Sequence, residues 1–89
     1  MKWLVSYRYK VSFRESAHRR RDYAPVDAIE LIDEHPVIFF AEMQRRHNLW
    51  RELDYHGPGV ERSDELVRIY SVTEVPDGLL TDEQMEALS

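Results

Sequence analysis

Residues 33–50, DEHPVIFFAEMQRRHNLW, decide how the rest of the chain is arranged, because they hold its densest apolar cluster. Large side chains recur along this segment at steps of three or four, at Phe39, Phe40, Met43, His47 and Trp50. Such spacing places them in one stripe on an α-helix. Asp33 is a suitable N-cap, and Pro36 suits a first helical turn, where its missing N–H costs nothing. The segment therefore predicts an amphipathic helix that covers one face of a sheet.

A buried strand is the competing interpretation of residues 37–40, which are four β-forming residues in a row. Periodicity alone does not separate a short apolar strand from a helix. The continuation of the stripe through Met43 to Trp50 favours the helix. His35 precedes a proline and is therefore biased away from helical angles, which would either kink the segment or move the helix start to Pro36.

Residues 2–13 alternate strictly between two kinds of side chain. One set is aromatic or β-branched and comprises Trp3, Val5, Tyr7, Tyr9, Val11 and Phe13. The other set is mostly polar or basic and comprises Lys2, Leu4, Ser6, Arg8, Lys10 and Ser12. A period of two is typical of a half-buried strand. We expect the first set to face the core and the second to face outward.

The remaining segments predict two loops, a strand and a short helix. Residues 14–22 have no periodicity, and residues 51–64 contain the turn sequence Gly-Pro-Gly, so both are expected to be loops. Residues 66–75 are rich in β-branched and aromatic residues and predict a second strong strand that pairs beside the first. Residues 81–88 open with a capping-box pattern and predict a short helix.

Residues 23–32 fit two structures. In a helix, Pro25 would occupy the first position, and Val26, Ile29 and Ile32 would line up on one side. In a strand, Val26, Ala28 and Ile32 would share a face, and the segment would form a hairpin with the first strand. We favour the strand. The order is then β-β-α-β-α, an α+β fold in which one main helix packs on a three-stranded antiparallel sheet as a two-layer sandwich.

Composition limits the class of protein. With 89 residues and 43% hydrophobic content, the chain can form one small core, so we expect a single domain over residues 1–89. It has no cysteine, which excludes disulfides, thiolate chemistry and cysteine-ligated zinc. We see no membrane span and no signal peptide, and expect a cytoplasmic protein. Five Tyr, three Phe and two Trp are many large side chains for so small a core, which suggests a homodimer.

Charge is distributed unevenly along the chain, whose net charge is −5. Residues 1–23 carry seven basic and two acidic side chains, whereas residues 24–89 carry five basic and fifteen acidic ones. Two segments of opposite sign either lie against each other in the fold or present two faces to two kinds of partner.

Motifs for catalysis or metal binding are not evident. The four histidines are separated by 17, 12 and 9 residues, with no H-x-x-x-H pair, so we interpret them as isolated surface or loop residues. The sequence lacks a nucleophile elbow, a P-loop and a dinucleotide fingerprint. We therefore expect no cofactor, no metal and no enzymatic activity.

A basic segment near the N-terminus is the candidate site for phosphate or nucleic acid. Arginine forms bidentate contacts with phosphate, and an aromatic ring can stack on a base. The candidate residues are Arg8, Lys10, Arg19, Arg20, Arg21 and Tyr23. The overall acidity of the chain argues against this site, because it would repel a polyanion.

A second cluster is the candidate site for a protein partner. Tryptophan, tyrosine and arginine are enriched in interface hot spots. The candidate residues are Arg45, Arg46, Trp50, Arg51, Tyr55, Asp64 and Glu65. The two acidic residues among them could stand in for a nucleic-acid backbone.

The function expected from the sequence is that of a small, acidic, non-catalytic binding protein. Proteins of this size without catalytic motifs include inhibitors encoded by phages and mobile elements, such as anti-CRISPR proteins, which mask a functional or nucleic-acid-binding surface of a partner. Two alternatives stay open. One is a nucleic-acid or nucleotide binder that uses the basic segment, and the other is a subunit of a small homo-oligomeric enzyme.

Overall fold

The computed structural model describes residues 1–16, 19–52, 59–76, 78 and 81–88. Its elements are, in chain order, β1 (Lys2–Ser16), β2 (Arg19–Asp22), β3 (Val26–Ile32), α1 (Pro36–Glu52), β4 (Glu61–Val75) and α2 (Asp82–Leu88). This is the predicted α+β fold, an antiparallel sheet with one main helix. The sheet has four strands, whereas three were predicted.

β1 is the central strand of the sheet. β4 runs along one side of it, from Lys2 opposite Val75 to Arg14 opposite Glu61. β3 and β2 follow one another along the other side, and the Tyr23 N–H donates to the Val11 carbonyl between them at 3.0 Å. The predicted pairing of β1 with both neighbouring strands is therefore confirmed.

The prediction of a loop over residues 14–22 was wrong. β1 continues to Ser16, and residues 19–22 form β2, which pairs back onto it. β2 is exposed along its whole length, so its sequence, RRRD, has no alternation to reveal a strand. This additional strand accounts for the difference between the predicted and observed strand numbers.

The core lies between the first half of β1 and the first half of α1. Val5, Tyr7, Ile32 and Phe40 are buried together, and Tyr7 meets the Phe40 ring edge to face at 5.5 Å between centroids. The apolar stripe predicted for the helix faces the sheet, with Phe40 and His47 buried and Phe39, Met43 and Trp50 half-buried. The spacing of large side chains thus identified the correct helix face.

The start of α1 differs from the predicted cap. Asp33 does not cap the helix, because it lies three residues before Pro36, and its carboxylate instead accepts a hydrogen bond from Lys2 Nζ at 3.1 Å. His35 takes the capping role, since its Nδ1 accepts a hydrogen bond from the Val37 N–H at 3.2 Å. The helix begins at Pro36, as the conformational bias of a residue before proline suggested.

The strict alternation predicted for β1 does not hold along its whole length. Ser12, expected on the outer face, is fully buried opposite Ser63, and Ser63 contacts His47 on α1. Arg14 likewise lies over the Trp50 ring of α1. The even-numbered side chains therefore face α1 in this half of the strand, whereas Val5 and Tyr7 face it in the other half.

β4 contains two bulges where its register with β1 shifts. Tyr70 is an extra residue between Ile69 and Ser71, which are paired with consecutive residues of β1. Val67 is a second extra residue between Leu66 and Arg68. Bulges bend a strand and increase its twist. The change of face along β1 occurs just beyond these bulges.

The prediction of a loop over residues 51–64 was wrong at both ends. α1 continues to Glu52, and β4 begins at Glu61, five residues before the predicted strand. The start of β4 is rich in charged residues, so its sequence did not indicate a strand. These residues are accommodated because Glu61 pairs with Arg14 of β1 at 2.8 Å.

α2 begins with the predicted capping box. The Thr81 N–H donates to Gln84 Oε1 at 2.9 Å, and the Gln84 N–H donates to Thr81 Oγ1 at 3.2 Å. Neither this helix nor α1 is long and apolar enough to cross a membrane, and these are the helices of the described ranges.

The molecule is elongated, with extents of 49 × 22 × 22 Å. The long axis matches strands of 15 residues that rise about 3.3 Å per residue. The accessible surface is 6440 Å², whereas a globular protein of this mass exposes about 5,500 Å². A rod of this kind leaves many large apolar side chains partly open to solvent.

Candidate partner-binding site

A groove of about 470 Å³ lies between one side of α1 and the start of β4. Its apolar part is formed by three half-buried residues of α1, Phe39, Met43 and Trp50. Charged residues of both signs surround this part, namely Glu34, Glu42, Arg46, Arg62 and Asp64. The helix thus supplies most of the groove, and β4 closes one side.

Most of the charges around the groove are already paired. Glu42 accepts hydrogen bonds from Arg45 at 2.8 Å and from Arg46 at 3.1 Å. The contact with Arg45 is the main cause that lowers the pKa of Glu42 to about 2. On the other side, Arg62 donates to Asp64 at 3.0 Å. The groove therefore presents an apolar floor inside a rim of neutralised ion pairs.

His47 is buried between α1 and β4, beside the groove residue Ser63, which corrects the interpretation of this histidine as an isolated surface or loop residue. Its side chain is 1% exposed, its Nδ1 lies 2.9 Å from Ser63 Oγ, and its Nε2 lies 3.8 Å from Glu65 Oε2. Burial lowers the pKa of His47, and the nearby Glu65 carboxylate opposes this shift. His35 is exposed, and His18 and His56 lie outside the described residues.

A serine, a histidine and a glutamate are thus neighbours, and hydrolases use these residue types for nucleophilic catalysis. Such a serine has to meet a substrate, whereas Ser63, although it borders the groove, is only 6% exposed, and His47 is 1% exposed on the buried side of α1. We assign the contact a structural role, because it satisfies two buried polar groups and joins α1 to β4.

Trp50 closes the far end of the core. The Arg14 and Arg20 guanidinium carbons lie 4.8 and 5.2 Å from its ring centroid, and the His47 ring stacks on it at 5.8 Å. Cations over an aromatic face are attracted by its quadrupole. Trp50 therefore joins the β1–β2 hairpin to α1 and also forms part of the groove.

The predicted partner-binding residues come together only in part. Arg46, Trp50 and Asp64 line the groove. Arg45 and Arg51 are exposed on α1 away from it, and Glu65 lies beside His47. Tyr55 lies outside the described residues.

The predicted phosphate-binding residues do not form one site. Arg8 pairs with Asp27 of β3 at 2.8 Å, and this hydrogen bond is the main cause that lowers the pKa of Asp27. Arg20 pairs with Asp22 at 2.9 Å. Of the other four residues, Lys10 lies on β1, Arg19 and Arg21 lie on β2, and Tyr23 follows β2. Arg19 lies 3.7 Å from Glu15, and Tyr23 is 49% exposed. Lys10 and Arg21 make no ion pair within the part of the chain that the structure describes.

Ion pairs between distant segments explain the uneven charge of the chain. Three pairs join the basic N-terminal segment to acids further along, Lys2–Asp33, Arg8–Asp27 and Arg14–Glu61. Of the two explanations for the opposite charges, the packing of one segment against the other is therefore confirmed.

Sequence reasoning missed an apolar surface on β4. Val67, Ile69, Tyr70 and Val72 are between 43% and 49% exposed. Their apolar character predicted a strand beside β1 and did not lead us to an exposed apolar surface. The indication was the lack of alternation in LVRIYSV, because a strand that is apolar on both faces needs cover on both faces.

Known proteins give no match to this chain. No protein-family model, no curated protein and no solved structure matches it. Within the described ranges, no three His, Asp or Glu side chains gather as metal ligands do.

Proposed function

We propose that this chain is a non-catalytic protein-binding domain, and that the groove between α1 and β4 seats an apolar side chain of its partner. The observation that carries the proposal is the composition of the groove, in which Phe39, Met43 and Trp50 are surrounded by paired charges. An apolar centre with a polar rim is the usual anatomy of a protein interface. Tryptophan and arginine, both present here, are enriched among hot-spot residues.

The exposed surface supports a binding role. The chain has an accessible surface of 6440 Å², whereas a compact protein of its mass is expected to expose about 5,500 Å². Part of the excess is apolar and lies on β4 beside the groove. Burial of apolar surface is the main favourable contribution to most protein associations.

One form of this proposal is an inhibitor of the phage or mobile-element type, which masks a nucleic-acid-binding or other functional surface of its partner. The acidic excess of residues 24–89 supports it, because a basic groove on a partner would attract this segment. Within the described residues, five of these acids are already paired with bases of the same chain, namely Asp27, Asp33, Glu42, Glu61 and Asp64. The remaining carboxylates would have to supply the attraction.

The groove is tested by two charge reversals on one helix. Arg45 and Arg46 both pair with Glu42 and are both exposed, but Arg46 lines the groove and Arg45 does not. A partner captured from the native host would be identified, purified and titrated by calorimetry. We expect Arg46→Glu to weaken binding about tenfold or more and Arg45→Glu to change it by about twofold or less. Equal affinities for the two variants would contradict the groove as the binding site.

A second candidate function is the binding of single-stranded nucleic acid by the β1–β2 hairpin. It is favoured by the exposure of every residue of β2 and of the adjacent Tyr23, which is 49% exposed. The ion pairs of Arg19 and Arg20 weigh against it. Fluorescence anisotropy with a labelled oligonucleotide across a salt series would test it. Binding that weakens with salt, and weakens further in Arg21→Glu, would support this function, and no binding at low salt would remove it.

Self-association, which the aromatic content led us to expect, is also part of the proposal. The surface that would carry it lies along β4 beyond the groove.

A further inference from the structure

We propose that a second copy of this chain pairs with the outer edge of β4 around Ile69 and Val72, forming a two-fold symmetric dimer. β4 is paired with β1 on one side, and no strand of the described part of the chain meets its other edge. Ile69 and Val72 are 44% and 46% exposed. An unpaired strand edge with exposed apolar side chains is a ready template for another strand.

The bulge at Tyr70 determines which side chains of β4 share a face. Ile69 and Val72 pair with Tyr7 and Val5, which are buried under α1, so both lie on the α1 face of the sheet. Tyr70 lies on the opposite face, where its hydroxyl donates to Asp27 at 3.1 Å.

Two further residues of β4 lie on the face away from α1. The Arg68 guanidinium lies over the Tyr70 ring, 5.5 Å from its centroid. Ser71 pairs with Ser6, which alternates with the buried Val5 and Tyr7 along β1. Because Tyr70 and Ser71 share this face, the pattern of faces from Arg68 to Thr73 is the same in both directions from the step between them.

This symmetry fits antiparallel pairing of β4 with β4 of a second copy. Centred on the Tyr70–Ser71 step, the pairing sets Ile69 of each copy against Val72 of the other on the α1 face. On the other face it sets Arg68 against Thr73 and Tyr70 against Ser71. Cross-strand pairs of β-branched residues stabilise a sheet.

The charge of this edge favours pairing with a second copy of the chain over pairing with a highly charged strand of another protein. The chain carries a net charge of −5, whereas residues 66–75 carry one arginine and one glutamate and are neutral. In this register no two like charges stand opposite each other, so the repulsion between two acidic copies is least along this edge. A shift by one residue would set side chains of different faces against each other, which favours one closed dimer over open-ended pairing.

The proposed dimer leaves both grooves open. The bulge at Val67 interrupts the matched pattern of faces, so the symmetric pairing covers Arg68 to Thr73 of each copy. The charged start of β4, which contains the groove residues Arg62 and Asp64, lies beyond the paired segment. The dimer would therefore be bivalent, and it does not depend on whether the groove binds a partner.

Sedimentation velocity on the full chain, across a range of concentrations, tests the dimer with two matched valines. Val72 and Val26 are 46% and 45% exposed and lie on opposite edges of the sheet. We expect Val72→Lys to raise the dissociation constant of the dimer about tenfold or more, and Val26→Lys to leave it within about twofold. Circular dichroism would confirm that both variants are folded. A monomeric wild-type protein, or equal effects of the two substitutions, would overturn the proposal.

A cross-link tests the same register without weakening the edge. Since the chain has no native cysteine, Ser71→Cys carries a single thiol beside the two-fold axis. A short bismaleimide should cross-link this variant into dimers and should leave Asn48→Cys, exposed on α1, largely monomeric. Equal cross-linking of the two variants, or none for Ser71→Cys, would contradict the proposed pairing.

Discussion

The Arg14 guanidinium lies over the Trp50 ring, 4.8 Å from the guanidinium carbon to the ring centroid. The same group donates to Glu61 at 2.8 Å, so one side chain of β1 contacts both α1 and β4. The Arg14 side chain is only 13% exposed, which leaves the contact largely shielded from water. This relationship fixes the end of α1 at the point where the groove begins.

A double-mutant cycle should detect the contact between Arg14 and Trp50. We expect Arg14→Met and Trp50→Leu to show a coupling free energy of about 1–2 kcal/mol, because the cation is largely desolvated. The matched cycle with Arg20→Met should give about 0.5–1 kcal/mol, since the Arg20 side chain is 44% exposed. Urea unfolding of the single and double variants measures both values. A coupling near zero for Arg14 would show that the stacking does not stabilise the fold.

Phe40 should be the most sensitive position of α1. Its ring is buried against Val5, Tyr7 and Ile32, so Phe40→Ala should lower the free energy of unfolding by about 3–5 kcal/mol. Val37 lies on the same helix and is 67% exposed, and Val37→Ala should change stability by about 0.5 kcal/mol or less. Similar losses for the two variants would mean that α1 packs on the sheet through another face.

Acidification should destabilise the fold through His47. Burial lowers its pKa in the folded protein, so the unfolded chain takes up a proton at a higher pH than the folded chain does. The stabilising contribution is complete above the ordinary histidine pKa of about 6.5 and is lost as the pH falls from there toward the folded-state pKa. Urea midpoints should therefore be lower at about pH 5.5 than at about pH 7.5, and less so for His47→Gln. If His47→Gln showed the same difference in urea midpoint between the two pH values as the wild type, the pH dependence would belong to another titratable group.

The elements that bury one regular stripe were predictable from the sequence. The steps of three and four from Phe39 to Trp50 identified the helix and its buried face, because packing on a sheet requires one continuous apolar side. The alternation of residues 2–13 identified β1 for the corresponding reason. The capping box at Thr81 was also predictable, because it depends only on residues close together in the sequence.

The parts that the sequence did not reveal depend on contacts between distant residues. β2 is exposed throughout, and the charged start of β4 is stabilised as a strand by its pairing with β1. Ser12 is buried because the sheet changes the face it presents to α1 beyond the bulges of β4, and no local pattern encodes that change. The groove joins residues of α1 to residues about twenty positions later, so its assembly became visible only in the fold.

The central claim is that a partner protein binds at the groove between α1 and β4. Hydrogen–deuterium exchange of the chain, with and without its purified partner, tests it most directly. The account predicts slower exchange on binding in residues 42–50 and 61–65, with unchanged exchange in β3. Protection confined to β3 or to the β1–β2 hairpin, with none along the groove, would contradict it.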